Sequence, residues 1–157
     1  DGDLDMTTNG PYWKNEMQNK GRWLQVRAVG TDKSNRPGIG ATVRVRAGGR
    51  TYLRHVTGGS GYGCQDSIIT HFGLGDATKV RWIEVDFPGA GTHRFEGPFE
   101  PDQRLWLYED GAHGSGWAEP DAGDLQGGWG RAGRVRAHGR QFSCLRKGTP
   151  LHVRCNF

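Results

Sequence analysis

The chain has 157 residues, a net charge of +4, 34% hydrophobic residues, 27 glycines and six tryptophans, which is typical of one all-β domain with an appendage and argues against a second full domain. No stretch approaches the ~20 consecutive apolar residues of a membrane span, so no membrane span is expected. A basic chain can bind nucleic acid, but this one has no RNP motif, helix-turn-helix or lysine-rich arm, and its arginines alternate along predicted strands as on a solvated sheet face, so nucleic acid is not an expected partner.

The first residues carry the carboxylate spacing of a calcium loop. Asp1, Asp3 and Asp5 alternate along a tight turn, where alternate residues can point oxygens at one hard cation. With Asn9 they form the candidate ligand set, which makes calcium the candidate cofactor. Met6 stands where an EF-hand requires glycine, so an EF-hand is a poor match. The set is incomplete, because calcium prefers roughly six to eight oxygen ligands. The alternative is that these residues are the end of an incomplete sequence repeat, bind no calcium and are disordered.

Residues 12–16 are predicted to form a short strand after a turn at residues 9–11. With the residues before the turn, this segment would expose Leu4, Met6, Tyr12 and Trp13 along an unpaired strand edge. Such an edge must either fold back on its own domain or pair with another chain. Addition of the strand to the sheet of another copy, head to tail, would build a filament. Tyr12 and Trp13 are therefore candidate interface residues.

Residues 23–45 are predicted to form two strands joined by a loop. Apolar and polar residues alternate on both sides of the loop, which is the period-two pattern of a sheet with one buried face. The loop at residues 31–40 is rich in Ser, Asn, Pro and Gly, and its glycines match neither a P-loop nor a dinucleotide site. They are expected to permit a bulge or a close approach of strands. Before the loop, Leu24, Val26 and Ala28 are expected to be buried, and they alternate with Gln25, Arg27 and Val29 on the other face of the strand.

Residues 47–50, Ala-Gly-Gly-Arg, predict a two-residue turn, because glycine readily adopts the positive φ angles that such turns require. The flanking residues 42–46 and 51–56 are therefore predicted to pair as a hairpin. A glycine-rich loop follows at residues 58–63 and carries Tyr62. The hairpin indicates antiparallel pairing in this part of the chain.

Three further strands are predicted at residues 79–87, 92–96 and 104–109. The first changes its parity at Trp82 and Ile83, which indicates a bulge or burial on both sides. In the last, leucines alternate with aromatic residues, so the two kinds of side chain should lie on opposite faces. We therefore predict an all-β fold, an antiparallel β-sandwich or barrel-like domain with a C-terminal β-hairpin extension.

Three stretches of the chain carry a family resemblance: residues 23–45 (WLQVRAVGTDKSNRPGIGATVRV), 47–63 (AGGRTYLRHVTGGSGYG) and 70–80 (THFGLGDATKV). In this order they closely resemble the ASPIC/UnbV domain, over roughly residues 11–109. That domain lies C-terminal to FG-GAP (VCBS) repeats in extracellular proteins of the cartilage acidic protein type. Cys64 is a local departure, because the family often has Leu-Ser-Gln after the preceding tyrosine.

The resemblance implies a domain organisation. Residues 1–19 are the remnant of an FG-GAP/VCBS repeat with its connecting strand, residues 20–110 are the ASPIC/UnbV-like β domain, and residues 111–157 are a linker rich in Gly and Trp with a C-terminal β extension. Because the chain starts inside a repeat motif, we expect it to be a piece of a longer precursor. Three cysteines without a C-x-x-C pair fit an oxidising compartment. A secreted or cell-surface protein is therefore expected.

The linker carries Trp117 and Trp129, which either anchor it on the domain or present a stacking platform for a sugar or a partner chain. Further strands are predicted at residues 134–138, 140–145 and 151–156. Cys144 and Cys155 flank the turn between the last two strands, so a disulfide is predicted there if the separation of the Cα atoms permits it. Cys64 would then be the odd thiol, although its pairing with either tail cysteine stays open.

No catalytic motif is present, because the patterns H-E-x-x-H, G-x-S-x-G and S-x-x-K are all missing. If distant residues did converge on a catalytic site, His55, Asp66 and His71 would be the candidates, and an enzyme of unknown class is the third hypothesis. We predict instead a non-enzymatic extracellular adhesion or assembly module that contacts other copies of itself, extracellular proteins or glycans. Its N-terminal strand, through which it would self-associate, and its aromatic tail are the expected contacting parts. The alternative is a carbohydrate-binding module with Trp117, Trp129 and Tyr62 as stacking residues.

Overall fold

The structure is a computed structural model, and it describes residues 5–7, 12–17, 20–120, 126–127, 134–137 and 140–143. Every regular element in this part of the chain is a β-strand, and it holds no helix long and apolar enough to cross a membrane. The strands are β1 (Met6–Thr7), β2 (Tyr12–Trp13), β3 (Arg22–Val29), β4 (Thr42–Ala47), β5 (Arg50–His55), β6 (Ile69–Gly75), β7 (Val80–Phe87), β8 (Gly91–Phe99), β9 (Gln103–Tyr108), β10 (Ala112–Ser115), β11 (Gln126–Gly127), β12 (Arg134–Ala137) and β13 (Arg140–Ser143).

Two large sheets form a sandwich around one core. The first has four strands in the order β5-β4-β7-β8, and the second has five in the order β11-β10-β9-β3-β6. The hairpins β1-β2 and β12-β13 form separate two-stranded sheets. This arrangement confirms the predicted all-β fold in its sandwich form. The hairpin observed in the C-terminal part joins the predicted strands at residues 134–138 and 140–145.

The five-stranded sheet is mostly, but not wholly, antiparallel. Its strand β3 pairs antiparallel with β6 on one side and parallel with β9 on the other. Parallel neighbours need a crossover connection between them. Here that connection contains β6 and all four strands of the other sheet. The crossover therefore brings residues that are far apart in the sequence onto the same face.

The core lies between the sheets and takes alternate side chains from both. The predicted positions Leu24, Val26 and Ala28 are fully buried. Arg27 and Val29, on the opposite side of β3, are also buried, with only 8% and 1% of their surfaces exposed. The prediction of one buried face is thus wrong for the end of β3, because loops cover the outer side of this sheet. The other sheet contributes Val43, Val45, Ile83, Val85, Phe87 and Phe95 to the core.

The predicted hairpin is confirmed. Strands β4 and β5 pair in register across Gly48 and Gly49, whose φ angles are 53° and 76°. Two consecutive positive φ angles define the tight turn that matches the twist of the strands. The predicted bulge is also present, since the pairing of β7 with β8 shifts between Val80 and Trp82. It lies at Arg81, just before the predicted position.

The segment after β9 is not all linker. Strand β10 pairs with β9, and β11 pairs with β10, so the sheet continues beyond residue 110. The sequence AHGS of β10 has no apolar alternation that would have predicted a strand. Its place is decided by backbone hydrogen bonds to β9. Further on, β12 pairs with β13, and residues 144–157 lie outside the described residues.

Candidate functional site

The outer surface of the five-stranded sheet carries aromatic and cationic side chains. Because Leu24 of β3 and Phe72 of β6 point into the core, the residues next to them in these strands point outward. Strand β9 follows the same rule, since Leu105 is buried and its neighbour points away from the core. The loop after β10 adds one more ring. We call this surface the aromatic face, and it consists of Trp23, His71, Arg104 and Trp117.

The side chains of the aromatic face contact one another in a row. The rings of Trp23 and His71 stack with centroids 6.2 Å apart and planes 12° apart. Trp117 follows, with its centroid 5.9 Å from that of Trp23 and its plane tilted by 38°. The guanidinium of Arg104 lies 4.8 Å from the centre of the Trp117 ring. Arg104 also donates through Nε to Gln25 Oε1 at 2.9 Å and through Nη1 to the Trp117 carbonyl at 2.9 Å.

Part of the aromatic face is open to solvent. The Trp117 side chain is 61% exposed even though it contacts Trp23 and Arg104. On β6, Gly73 stands opposite Trp23, and a Cβ atom added there would meet nothing within 4 Å. The space beside Trp23 is therefore free on the side of Gly73. This open space and the exposed ring make the surface accessible to a ligand.

The loop at residues 116–120 closes the neighbouring part of the sheet. Trp106 donates through Nε1 to the Gly116 carbonyl at 3.0 Å, and the Tyr108 hydroxyl donates to Glu119 Oε1 at 3.2 Å. Burial and the nearby Glu119 carboxylate raise the pKa of Tyr108 to about 12. The same carboxylate pairs with Arg36 at 2.6 Å. These contacts hold the loop in place, so Trp117 is presented from a fixed segment.

Arg27 is buried beneath the loop that follows β3. Its Nη1 donates to the carbonyl of Pro37 at 2.6 Å and to that of Ala28. Its guanidinium lies 6.0 Å from the centre of the Trp106 ring. Burial lowers the pKa of Arg27, yet a guanidinium remains protonated in proteins. Arg27 therefore ties the loop to the sheet and is not presented to a ligand.

Glu109 holds the start of the same loop. Although burial by itself would raise the pKa of this carboxyl, four backbone N–H donors stabilise the charged form and hold the pKa below its usual range. Both oxygens of the carboxylate are occupied, so Glu109 is structural and not a general acid or base. Oε2 accepts from the N–H groups of Thr31 at 2.8 Å, Asp32 at 3.0 Å and Ser34 at 3.1 Å, and Oε1 accepts from Lys33 at 2.8 Å.

A cavity of about 440 Å³ opens near the end of β8 and is lined by His113, Phe99, Glu96 and Glu100 among others. The His113 ring contacts Phe95 and Phe99 edge to face, with centroids 6.0 and 5.6 Å apart. Burial lowers the pKa of His113, which favours the neutral ring at pH 7. No group of three His, Cys, Asp or Glu side chains is placed to hold a metal ion in the part of the chain that the structure describes.

The N-terminal hairpin presents apolar side chains to solvent. Its strands pair Met6 with Trp13, and the side chains of Met6, Trp13 and Met17 are 58%, 57% and 63% exposed. Asp5, a predicted calcium ligand, accepts a hydrogen bond from the Asn15 N–H at 2.8 Å. The backbone of Tyr12 lies in β2. The other predicted ligands, Asp1, Asp3 and Asn9, lie outside the described residues.

The three residues considered for catalysis have separate partners. His55 Nδ1 lies 2.9 Å from Thr42 Oγ1. Asp66 accepts a hydrogen bond from the Thr57 hydroxyl at 2.9 Å. His71 stacks on the aromatic face, as described above. Each of the three is thus engaged in a different structural contact.

The remaining predicted site residues are in two groups. Tyr62 is fully exposed in the loop after β5, and Cys64 in the same loop is an exposed free thiol. Trp129, Cys144 and Cys155 lie outside the described residues, so the stacking role of Trp129 and the disulfide stay predictions.

Sequence reasoning found two members of the aromatic face, His71 and Trp117, and missed Trp23 and Arg104. One signal was present for Trp23: it precedes the buried Leu24, so its parity places it on the outer face. No local signal was present for Arg104. Its position beside Trp117 depends on the parallel pairing of β9 with β3, which no sequence pattern specifies.

Comparison with known proteins places the chain in a family. The model of the family described as "ASPIC and UnbV" matches residues 30–114, more than half of the chain. No curated protein and no solved structure matches it. The match includes Glu109 and the loop it holds, whereas Trp23 and Trp117 lie just outside its two ends. The chain belongs to the ASPIC and UnbV family.

Proposed function

We propose that the chain is a non-enzymatic module of a secreted or cell-surface protein that acts in adhesion or assembly by surface contact. The observation that carries the proposal is the N-terminal hairpin. It presents Met6 and Trp13 to solvent on strands of only two residues each, and Met17, four residues after the second strand, is exposed as well. Exposed apolar patches mark interaction sites, and so short a hairpin gains stability when a partner covers it.

The partner is a second copy of the chain or another extracellular protein. The N-terminal hairpin makes a head-to-tail contact when it adds its free strand edge to the sheet of a neighbouring copy. Such a contact does not close on itself unless the geometry forms a ring, so it grows as a filament. Both large sheets end in edge strands within the described residues, and these are the acceptors for such an addition.

Sedimentation velocity over a range of protein concentrations tests this proposal. The full chain is expected to form particles larger than a monomer, because burial of the exposed hairpin residues favours association. Deletion of residues 1–19 or the substitution Trp13→Ser should abolish those particles. Trp117→Ser is the matched control, since Trp117 is as exposed as Trp13 but lies on the aromatic face. A monomeric full chain contradicts self-association, and equal loss of particles in the control contradicts its assignment to the N-terminal hairpin.

We also propose that residues 1–19 are the tail of an FG-GAP/VCBS repeat whose carboxylates bind calcium. The alternating Asp1, Asp3 and Asp5 support this, because calcium prefers carboxylate oxygens. Isothermal titration of the chelator-treated chain with calcium is the measurement. Asp3→Asn should weaken binding, and a titration without heat in the unsubstituted chain refutes the site.

A second candidate function, carbohydrate binding, is favoured by the exposed ring of Trp117 beside Trp23. Indole rings offer a large rigid apolar surface with a polar edge, which suits the C–H face of a sugar. The sequence adds Tyr62 and Trp129 as further stacking residues. In this case, glycans should change the tryptophan fluorescence without changing the size of the particle. Loss of that change in Trp117→Ala, with Trp13→Ala unaffected, is the expected result.

A further inference from the structure

We infer that the aromatic face binds an acidic glycan, a polysaccharide whose rings carry carboxylates or sulfates. This inference rests on the carbohydrate-binding candidate and names the class of sugar. The aromatic face combines two indole rings with one arginine, and each supplies a different part of the recognition. The indole rings pack against the apolar side of a sugar, and the arginine binds its carboxylate or sulfate group.

The stacking surface comes from Trp23 and Trp117. Their ring centroids are 5.9 Å apart and their planes meet at 38°, so the two rings form a shallow angled platform. The backbone of Trp117 is fixed by a hydrogen bond that its carbonyl oxygen accepts from Arg104. A platform already fixed in place loses little conformational entropy when a ligand binds. Sugar rings can therefore pack on it at low cost.

The charge comes from Arg104. The side chain is held at two nitrogens, Nε and Nη1, by Gln25 and by the Trp117 carbonyl. Within the described residues its Nη2 has no hydrogen-bond partner and no carboxylate pairs with the guanidinium. The neighbouring arginines Arg22 and Arg36 are paired with Asp102 and Glu119 and contribute little net charge. Of these three arginines, only Arg104 lacks a paired carboxylate, and it lies at the platform itself. Guanidinium groups recognise carboxylate and sulfate oxygens well.

Access to the platform comes from the side of β6. Gly73 stands opposite Trp23, and its missing side chain leaves open space beside the ring. The other side is closed, because Trp106 is bonded to the loop at residues 116–120. A glycan can therefore lie across the face from Gly73 to Trp117, with its charged group at Arg104.

A second copy of the chain is a poorer occupant. A symmetric contact between two aromatic faces would bring two Arg104 side chains to the same interface, where like charges repel. The chain as a whole carries a net charge of +4, so two copies repel each other on balance. An acidic polymer fits both the platform and its charge.

The test is a calorimetric titration of the full chain with two hexasaccharides of equal length. The acidic probe is a chondroitin sulfate hexasaccharide and the neutral probe is chitohexaose. The acidic probe is expected to bind at least about tenfold more tightly, the difference that a charge-assisted hydrogen bond supplies. This advantage should shrink as salt is added, because the Arg104 contact lies near the surface.

Three variants locate the site. Arg104→Gln should reduce the preference for the acidic probe by about tenfold. Binding of chitohexaose should weaken less, because this variant removes the charge and the contact with the Trp117 carbonyl but keeps both rings. Trp117→Ala should weaken binding of both probes. Gly73→Val should also weaken both, because its side chain fills the open space beside Trp23 without altering any charge or ring. Gly73 lies in a strand and its φ is not positive, so valine suits the backbone there. Trp13→Ala is the control and should bind as the unsubstituted chain does.

The outcomes separate this inference from the functions proposed above. Equal affinity for both probes, lost in Trp117→Ala, overturns the acidic preference and leaves carbohydrate binding standing. No binding of either probe overturns both. Acidic binding that is unchanged in Arg104→Gln and Gly73→Val assigns the interaction to another basic surface and also overturns the inference. Self-association is measured separately by sedimentation and is independent of all three results.

Discussion

The outer faces of the two sheets differ in how far loops cover them. The four-stranded sheet turns accessible charge pairs to solvent: Arg44 lies 3.4 Å from Glu84, and Arg94 lies 2.8 Å from Glu96. Arg94 also lies 4.4 Å from the centre of the Trp82 ring. We call this surface the charged face. Its pairs are local and leave the surface uncovered.

The outer face of the five-stranded sheet is covered over much of its area. Loops at residues 30–41 and 116–120 cross it, held by Glu109 and Arg27 on one side and by Trp106 on the other. Among the described residues, Trp117 of the aromatic face stays exposed to solvent. Both sheets alternate buried and outward side chains, yet their outer surfaces differ. The difference arises because Glu109 and Arg27 bind a loop across the outer face of one sheet. Three substitution or titration experiments test this difference, from the largest expected effect to the smallest.

Removal of the Glu109 carboxylate should have the largest effect. Glu109→Ala leaves four backbone N–H groups without their acceptor and should lower the free energy of unfolding by about 3 kcal/mol. Glu84→Ala, on the charged face, should lower it by less than about 1 kcal/mol. Urea unfolding of both variants at pH 7 is the measurement. Similar losses would mean that the two faces are equally dependent on their charged groups.

The second experiment varies pH. The pKa of Glu109 is lowered from its ordinary value of 4.5 in the folded chain, so the folded state binds this proton less readily than the unfolded state. The stabilisation is therefore complete above pH 4.5 and is lost as the pH falls through the folded pKa. The difference in unfolding free energy between the unsubstituted chain and Glu109→Gln should shrink over that range. A constant difference down to pH 3 would contradict the role of the carboxylate charge.

The smallest effect on the unfolding free energy is expected from the substitution of Arg27. Arg27→Ala removes hydrogen bonds to Pro37 and Ala28 carbonyls and should cost about 1–2 kcal/mol of unfolding free energy, since buried groups lose their partners. Arg44→Ala on the charged face is the matched control and should cost about 0.5 kcal/mol. Thermal unfolding of the two variants side by side decides the point. An equal loss of unfolding free energy in both variants would mean that Arg27, which binds the loop, stabilises the fold no more than Arg44 does on the charged face.

Much of the fold was predictable from the sequence. Alternation predicted the core positions of β3, and the Ala-Gly-Gly-Arg stretch predicted the β4–β5 hairpin, because both signals are local. The motifs that resemble the ASPIC/UnbV domain led to the right family. Strand β10 was missed because AHGS has no apolar period. The burial of Arg27 was missed because a charged residue at an outward position is normally solvated.

The candidate site was predictable only in part. Trp117 and His71 were singled out as single residues, and nothing in the sequence joined them. Trp23 connects them in the folded chain, and Arg104 completes the row from a strand that is distant in sequence. Such neighbours are fixed by the pairing of β3 with β6 and β9, which depends on the crossover through the other sheet.

By itself, then, the sequence determined the class of structure, the side chains that enter the core and the tightest turn, since each follows from the spacing of neighbouring residues. The tertiary structure alone decided the parallel contact of β9 with β3, the covering of one outer face by loops and the row of rings beside Arg104. The physical reason is that local spacing sets the direction in which a side chain points, whereas long-range pairing sets what it meets there.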